Sequence, residues 1–241
     1  MTDRLADAAR RRCLQRCVQL GSGLALASWT LGPGVRAADM GAADATQAVR
    51  TALERGAQAA VSLLGRPDGF LGNSQVRIPL PGVLEDAARL LKFTGQSQRV
   101  EELVTAMNRA AEAAVPFAKP LLVDAVKTMS VQDALGIVRG GDTSVTAFFA
   151  GRTREPLTAK FLPVVTRETQ RVSLADKYNA VAGKASGLGL LRREDANIQQ
   201  YVTRKALDGL YFMIGEEEKK IRQDPAGTGS AILKKVFGSL G

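Results

Sequence analysis

The sequence predicts an all-α fold, a single compact multi-helix domain, on three observations. Apolar residues recur at helical spacing through almost the whole chain after the first forty residues, β-branched alternation is nearly absent, and Gly and Pro fall where helical stripes stop. With 45% apolar and 24% charged residues in 241, the composition is that of a globular chain long enough for one sizeable core.

The first element is a leader. Arg10-Arg11-Arg12 precede a moderately apolar run from Val18 to Leu31, diluted by Gly21, Ser22 and Gly23, and Val35-Arg36-Ala37 offers a signal-peptidase site. This spacing predicts a twin-arginine export signal over 1–37, cleaved after Ala37, and a soluble periplasmic product. A basic tail or an uncleaved anchor are the alternatives, although the apolar run is short and Gly-rich for a membrane span. Cys13 and Cys17 precede that run, so neither stands where a lipoprotein acceptor would.

Residues 38–47 read as a short flexible start and 48–238 as the helical domain. The first helix is expected from about Asp44 to Leu64, stopped by Gly65 with Pro67 beyond. The stretch 65–82 is long for a bare connection. It reads as an ordered loop pinned by Phe70, Leu71 and Val76 to Leu80, with room for a short hairpin. Helices are then expected over about Val83–Phe93, from Ser97 to Pro116, and from Pro120 to Met129, with a kink or break at the two prolines. Ser130 and Asp133 form a capping-box pattern for a short helix ending at Gly140-Gly141. Asp142 is placed to cap the next helix. Pro156 reads as the first turn of another, running to Val172 with a kink at Pro163. Ser173 caps a helix to about Ser186, stopped by Gly187-Leu188-Gly189. The last long helix covers roughly Ile198–Gln223, and a terminal turn spans Ser230–Phe237.

Composition excludes much chemistry. The chain has no His, and both Cys and the single Trp lie within the predicted leader. That removes Ser-His and Cys-His nucleophile pairs and imidazole bases, and with them His-containing zinc or haem sites. No catalytic, metal-binding or cofactor-binding residue is assigned. Removing residues 1–37 takes away six Arg and two Asp, leaving 27 of 33 basic and 22 of 24 acidic residues and a charge of about +5. The signs alternate along the helices and form no basic stripe, which argues against nucleic acid as a partner.

The candidate ligand-binding residues are Arg77, Asn108, Arg109, Glu112, Lys119, Asp124 and Glu217. All but Arg77 and Glu217 fall, with Lys127, in one region interrupted by Pro116 and Pro120, where freed backbone groups let side chains converge. The bland alternative is a surface salt-bridge set. Glu217 lands inside the apolar stripe of the last helix and requires a donor there, with Arg109, Lys119 or Arg77 as candidates. Gly140-Gly141-Asp142 and Gly227-Thr228-Gly229 read as stop-and-cap punctuation rather than phosphate loops, since no strand precedes either.

Several longer motifs carry a resemblance. They include Arg77-Ile78-Pro79-Leu80-Pro81, Met107-Asn108-Arg109-Ala110-Ala111-Glu112, Ala118-Lys119-Pro120 and Phe161-Leu162-Pro163. Tyr201 through Leu210, Glu216-Glu217-Glu218 and Leu233 through Gly238 complete the set. Over about residues 48–238 the chain resembles the bacterial family known as domain of unknown function DUF4197. The resemblance implies an envelope protein with a leader and a mostly helical domain, and supplies no reaction. Many relatives look lipidated; this leader does not.

Two function classes follow. One is a non-enzymatic periplasmic binding or scaffolding domain for a small molecule, lipid or envelope protein. The other is a carboxylate- and Lys-dependent enzyme, of hydrolase type, built on Glu112, Lys119, Asp124 and Glu217. A weak membrane-surface contact through Leu233-Lys234-Lys235-Val236-Phe237 is a third reading, on a segment too short to bind alone.

Overall fold

The first helix, α1, spans Ala42–Leu64 and ends at the predicted glycine. After it come α2 (Ser97–Ala114), a 3-10 turn (Val115–Phe117), α3 (Ala118–Lys127), α4 (Val131–Arg139), α5 (Ser144–Thr169), α6 (Leu174–Gly187) and α7 (Ile198–Gln223). This computed structural model describes residues 42–81, 85, 97–171, 174–189, 191–192 and 195–224. The fold is all-α, with no strand among the described residues. The leader, the Ser173 cap and the C-terminal turn lie outside them, as does the expected helix over Val83–Phe93 apart from Glu85, which is helical.

Local chemistry explains most element ends. Ser130 and Asp133 form the capping box of α4: Ser130 Oγ accepts from Asp133 N and the Asp133 carboxylate accepts from Ser130 N. Asn197 caps α7, its Oδ1 accepting from Gln199 N and Gln200 N. The proline pair at 116 and 120 is resolved as predicted, by a 3-10 turn between α2 and α3. Past α6, Gly189 takes a φ of +74° that an L side chain would resist.

Three expectations fail. Helix α5 does not begin anew at Pro156 but runs unbroken from Ser144 to Thr169 with both prolines inside it. Those prolines stand two turns apart and both are exposed, so the carbonyls they leave without a donor lie on the solvent side. A buried stripe of Val145, Phe149, Thr153, Leu157, Phe161 and Val165 holds the helix together on the other side. Its N-cap is Thr143, not Asp142, and makes no side-chain cap bond. The third failure is the hairpin: the loop after α1 forms only turns.

Helices α5 and α7 are the central pair. Helix α2 packs on α5, α1 packs on α7, and α3 touches both α1 and α5. Between the central helices the Tyr211 hydroxyl meets Thr153 Oγ1 at 2.9 Å, and Thr153 Oγ1 also bonds Phe149 O at 2.7 Å. From the loop, Phe70, Val76, Ile78 and Leu80 enter the same core. Phe70 sits against Gly209 of α7, where an added Cβ would lie only 2.8 Å from the ring. Full burial of such a ring contributes about 2–3 kcal/mol, so α7 carries a glycine where the loop needs the space.

Candidate functional site

Asn108 and Glu112 stand one turn apart on α2, both buried, and both face the loop after α1. Asn108 Oδ1 accepts from Ile78 N at 2.8 Å while its Nδ2 donates to Ile78 O at 3.0 Å and to Val104 O at 2.8 Å. The amide thus pairs with both backbone groups of Ile78, as a neighbouring strand would. Glu112 Oε1 accepts from Phe70 N at 3.0 Å and Leu71 N at 3.1 Å. Its Oε2 takes Arg109 Nη1 at 2.7 Å, and Arg109 Nη2 reaches back to Asp68 in the loop at 2.8 Å. The bond to Glu112, opposed by partial burial, raises the Arg109 pKa above its usual range. From α7, the Tyr201 hydroxyl donates to Pro79 O at 2.9 Å.

Three of the seven predicted residues therefore converge, and each is engaged in holding the loop. Arg77 in the loop after α1, and Lys119 and Asp124 on α3, are exposed and do not join them. Glu217 is not the core-facing carboxylate expected; it is half-buried, its Cβ region over Gly56 of α1, and it pairs with Lys220 at 2.6 Å. None of the three basic residues considered for it is its partner. Helix α7 has neighbours on several sides, so its buried arc is wider than one stripe and takes in Glu218 instead. Among the described residues no three acidic or Cys side chains form a metal-binding group.

Glu218 is the residue sequence reasoning missed. Its Oε1 accepts from Arg222 Nε at 2.9 Å and Nη2 at 2.7 Å, and lies 3.2 Å from Ser144 Oγ. Arg222 Nη2 also donates to Ile137 O at 2.8 Å. Burial raises the Glu218 pKa, against the pull of Arg222 and Ser144. The cluster joins the end of α4 and the start of α5 to α7. The adjoining cavity holds about 20 Å³, far below the size of a ligand site.

A larger recess opens along the α5–α7 seam. It measures about 350 Å³ and is lined by Arg154, Thr158 and Leu162 from α5 and Gln200, Thr203, Arg204 and Leu207 from α7. A neighbouring recess of about 360 Å³ shares Leu162 and Gln200 and adds Thr166, Asp176 and Asn179. Both guanidiniums are braced. Arg154 Nη1 bonds Asp208 at 3.0 Å and its guanidinium lies 5.0 Å from the Tyr211 ring centroid. Arg204 bonds Asp195 and lies 5.5 Å from the Tyr201 ring centroid. Two buried polar atoms of this wall, Thr203 Oγ1 and Arg204 Nε, have no hydrogen-bond partner. The sequence hinted at the wall only through Tyr201 to Leu210, the longest of the recurring motifs.

No helix among the described residues is long and apolar enough to cross a membrane. Neither the curated proteins nor the solved structures contain a match to this chain. One family does match, over residues 39–238, described as protein of unknown function (DUF4197), with the buried loop anchors, the α5–α7 recess and every described helix within the matched span. The chain belongs to that family.

Proposed function

We propose that this chain is exported and acts in the periplasm as a non-enzymatic binding domain whose ligand is a small molecule held between α5 and α7. The observation that carries the reading is the recess of about 350 Å³, within the range of small-ligand pockets and walled by two braced guanidiniums beside buried polar atoms with no partner. Arg10-Arg11, the apolar run after them and Val35-Arg36-Ala37 support export. A membrane lipid or an envelope protein fits the recess less well, since its volume is small.

Native mass spectrometry of protein recovered from the periplasm tests this reading. A stoichiometric excess mass is expected, lost on denaturation, and absent from a Thr158→Trp variant whose ring fills the recess from an exposed position. The calculated mass alone in the wild-type protein would overturn the small-ligand reading and transfer support to protein-partner scaffolding.

A further inference from the structure

We infer that the α5–α7 recess recognises an oxyanion, a carboxylate or phosphate group on its small-molecule ligand; this rests on the recess being the ligand site proposed above. Several helical threonines share one habit. Thr51, Thr128, Thr153, Thr158, Thr166 and Thr169 all bond their hydroxyls to the carbonyl four residues back, at 2.7–3.0 Å. Thr203 sits in mid-helix on α7, is 1% exposed, and makes no such bond. An interior hydroxyl left unpaired is costly, so its retention calls for a partner that the protein itself does not supply.

The next residue repeats the pattern. Arg204 spends Nη2 on Asp195, while its Nε is buried and unpartnered. Across the seam Arg154 spends Nη1 on Asp208. Neither Asp195 nor Asp208, which also lies 3.9 Å from Arg204 Nη1, lines the recess, so the carboxylates hold the guanidiniums from outside it; the nearest acidic lining residue is Asp176 of the neighbouring recess. Thr158 gives its proton to Arg154 O, leaving its oxygen as an acceptor only. Beside the apolar surface of Leu162 and Leu207 and the Gln200 amide, what the polar part of the wall has left to offer is therefore mainly donors: a hydroxyl, an Arg Nε–H and the remaining N–H groups of two ion-paired guanidiniums. That set matches an acceptor-only, negatively charged, planar or tetrahedral group. A cationic ligand would meet no acidic side chain in the lining of this recess.

The test titrates the full-length chain with sodium phosphate and, separately, sodium succinate, against sodium chloride at matched ionic strength. The readouts are the Arg204 Nε–H and Thr203 backbone amide resonances. At least one anion is expected to move both signals saturably, and the anion that does so assigns the group as phosphate or carboxylate. Thr203→Val, which removes only the hydroxyl, should weaken that anion about ten-fold or more with the remaining spectrum unchanged. Arg204→Lys, which keeps the charge and lacks Nε, should weaken it comparably and guards against misfolding of the first variant. Signals that follow chloride, or variants that bind as tightly as the parent, would overturn the oxyanion assignment. A co-purified mass in a protein that ignores both anions would remove the oxyanion class alone; absence of both would remove the binding reading as well.

Discussion

Asn108 presents an amide to the amide of Ile78, and the exchange satisfies two buried main-chain groups with one side chain. Asn108→Ala would strand both, at about 1–3 kcal/mol each, so urea denaturation should show a loss of about 3 kcal/mol. A change under about 1 kcal/mol would mean that the Ile78 groups find other partners. The polar concentration around Asn108, Arg109 and Glu112 was legible in the sequence, but its partners were not. A backbone N–H carries no residue-type signature, so Phe70, Leu71 and Ile78 could not be read as the groups these side chains hold. Glu217 and Glu218 show the complementary difficulty. Periodicity places an inward arc to within about one residue when a helix has one neighbour, and α7 has several.

Among the helices, glycine separates two kinds of position. At Gly209 of α7 a Cβ would press on the Phe70 ring at 2.8 Å and on Val76 at 3.3 Å. Gly209→Ala should therefore destabilise by about 1–3 kcal/mol through overpacking. Gly151 of α5 is exposed with nothing within 4 Å of its missing Cβ. Gly151→Ala should raise stability by about 0.5–1 kcal/mol through helix propensity alone. Thermal unfolding of the two variants checks the pair, and shifts of the same sign would refute the packing argument. Helix ends governed by local signals, such as Gly65 after α1 and Ser130 before α4, were readable from the chain. The continuity of α5 was not: an interior proline costs about 3 kcal/mol, and only the packed stripe from Val145 to Val165 shows that tertiary contacts outweigh it.

Across the whole molecule the absence of His removes the group that ordinarily titrates near neutral pH, and the three tyrosines become the informative probes. Burial raises all three phenols: Tyr178 most, Tyr201 to about 12, and Tyr211 against the pull of its bond to Thr153. A raised folded pKa means that the folded state keeps the proton longer. The associated stability is fully present below the ordinary value of about 10 and is lost as pH climbs through the folded values. Phenolate absorbance should therefore stay low through the ordinary tyrosine range and rise together with loss of helical circular dichroism. A tyrosine ionising near its ordinary value in still-helical protein would contradict this burial. The loop after α1 carries a constraint of another kind, on its length. Its anchors at Leu71 and Ile78 meet Glu112 and Asn108, four residues apart on one rigid helix and so about 6 Å along its axis. An added residue has an outlet, because the intervening chain can bulge outward at exposed Ser74 and Gln75. A missing one must come out of the turn in which Val76 N and Arg77 N both bond Asn73 O, so a deletion undoes that turn while the two anchors stay within reach.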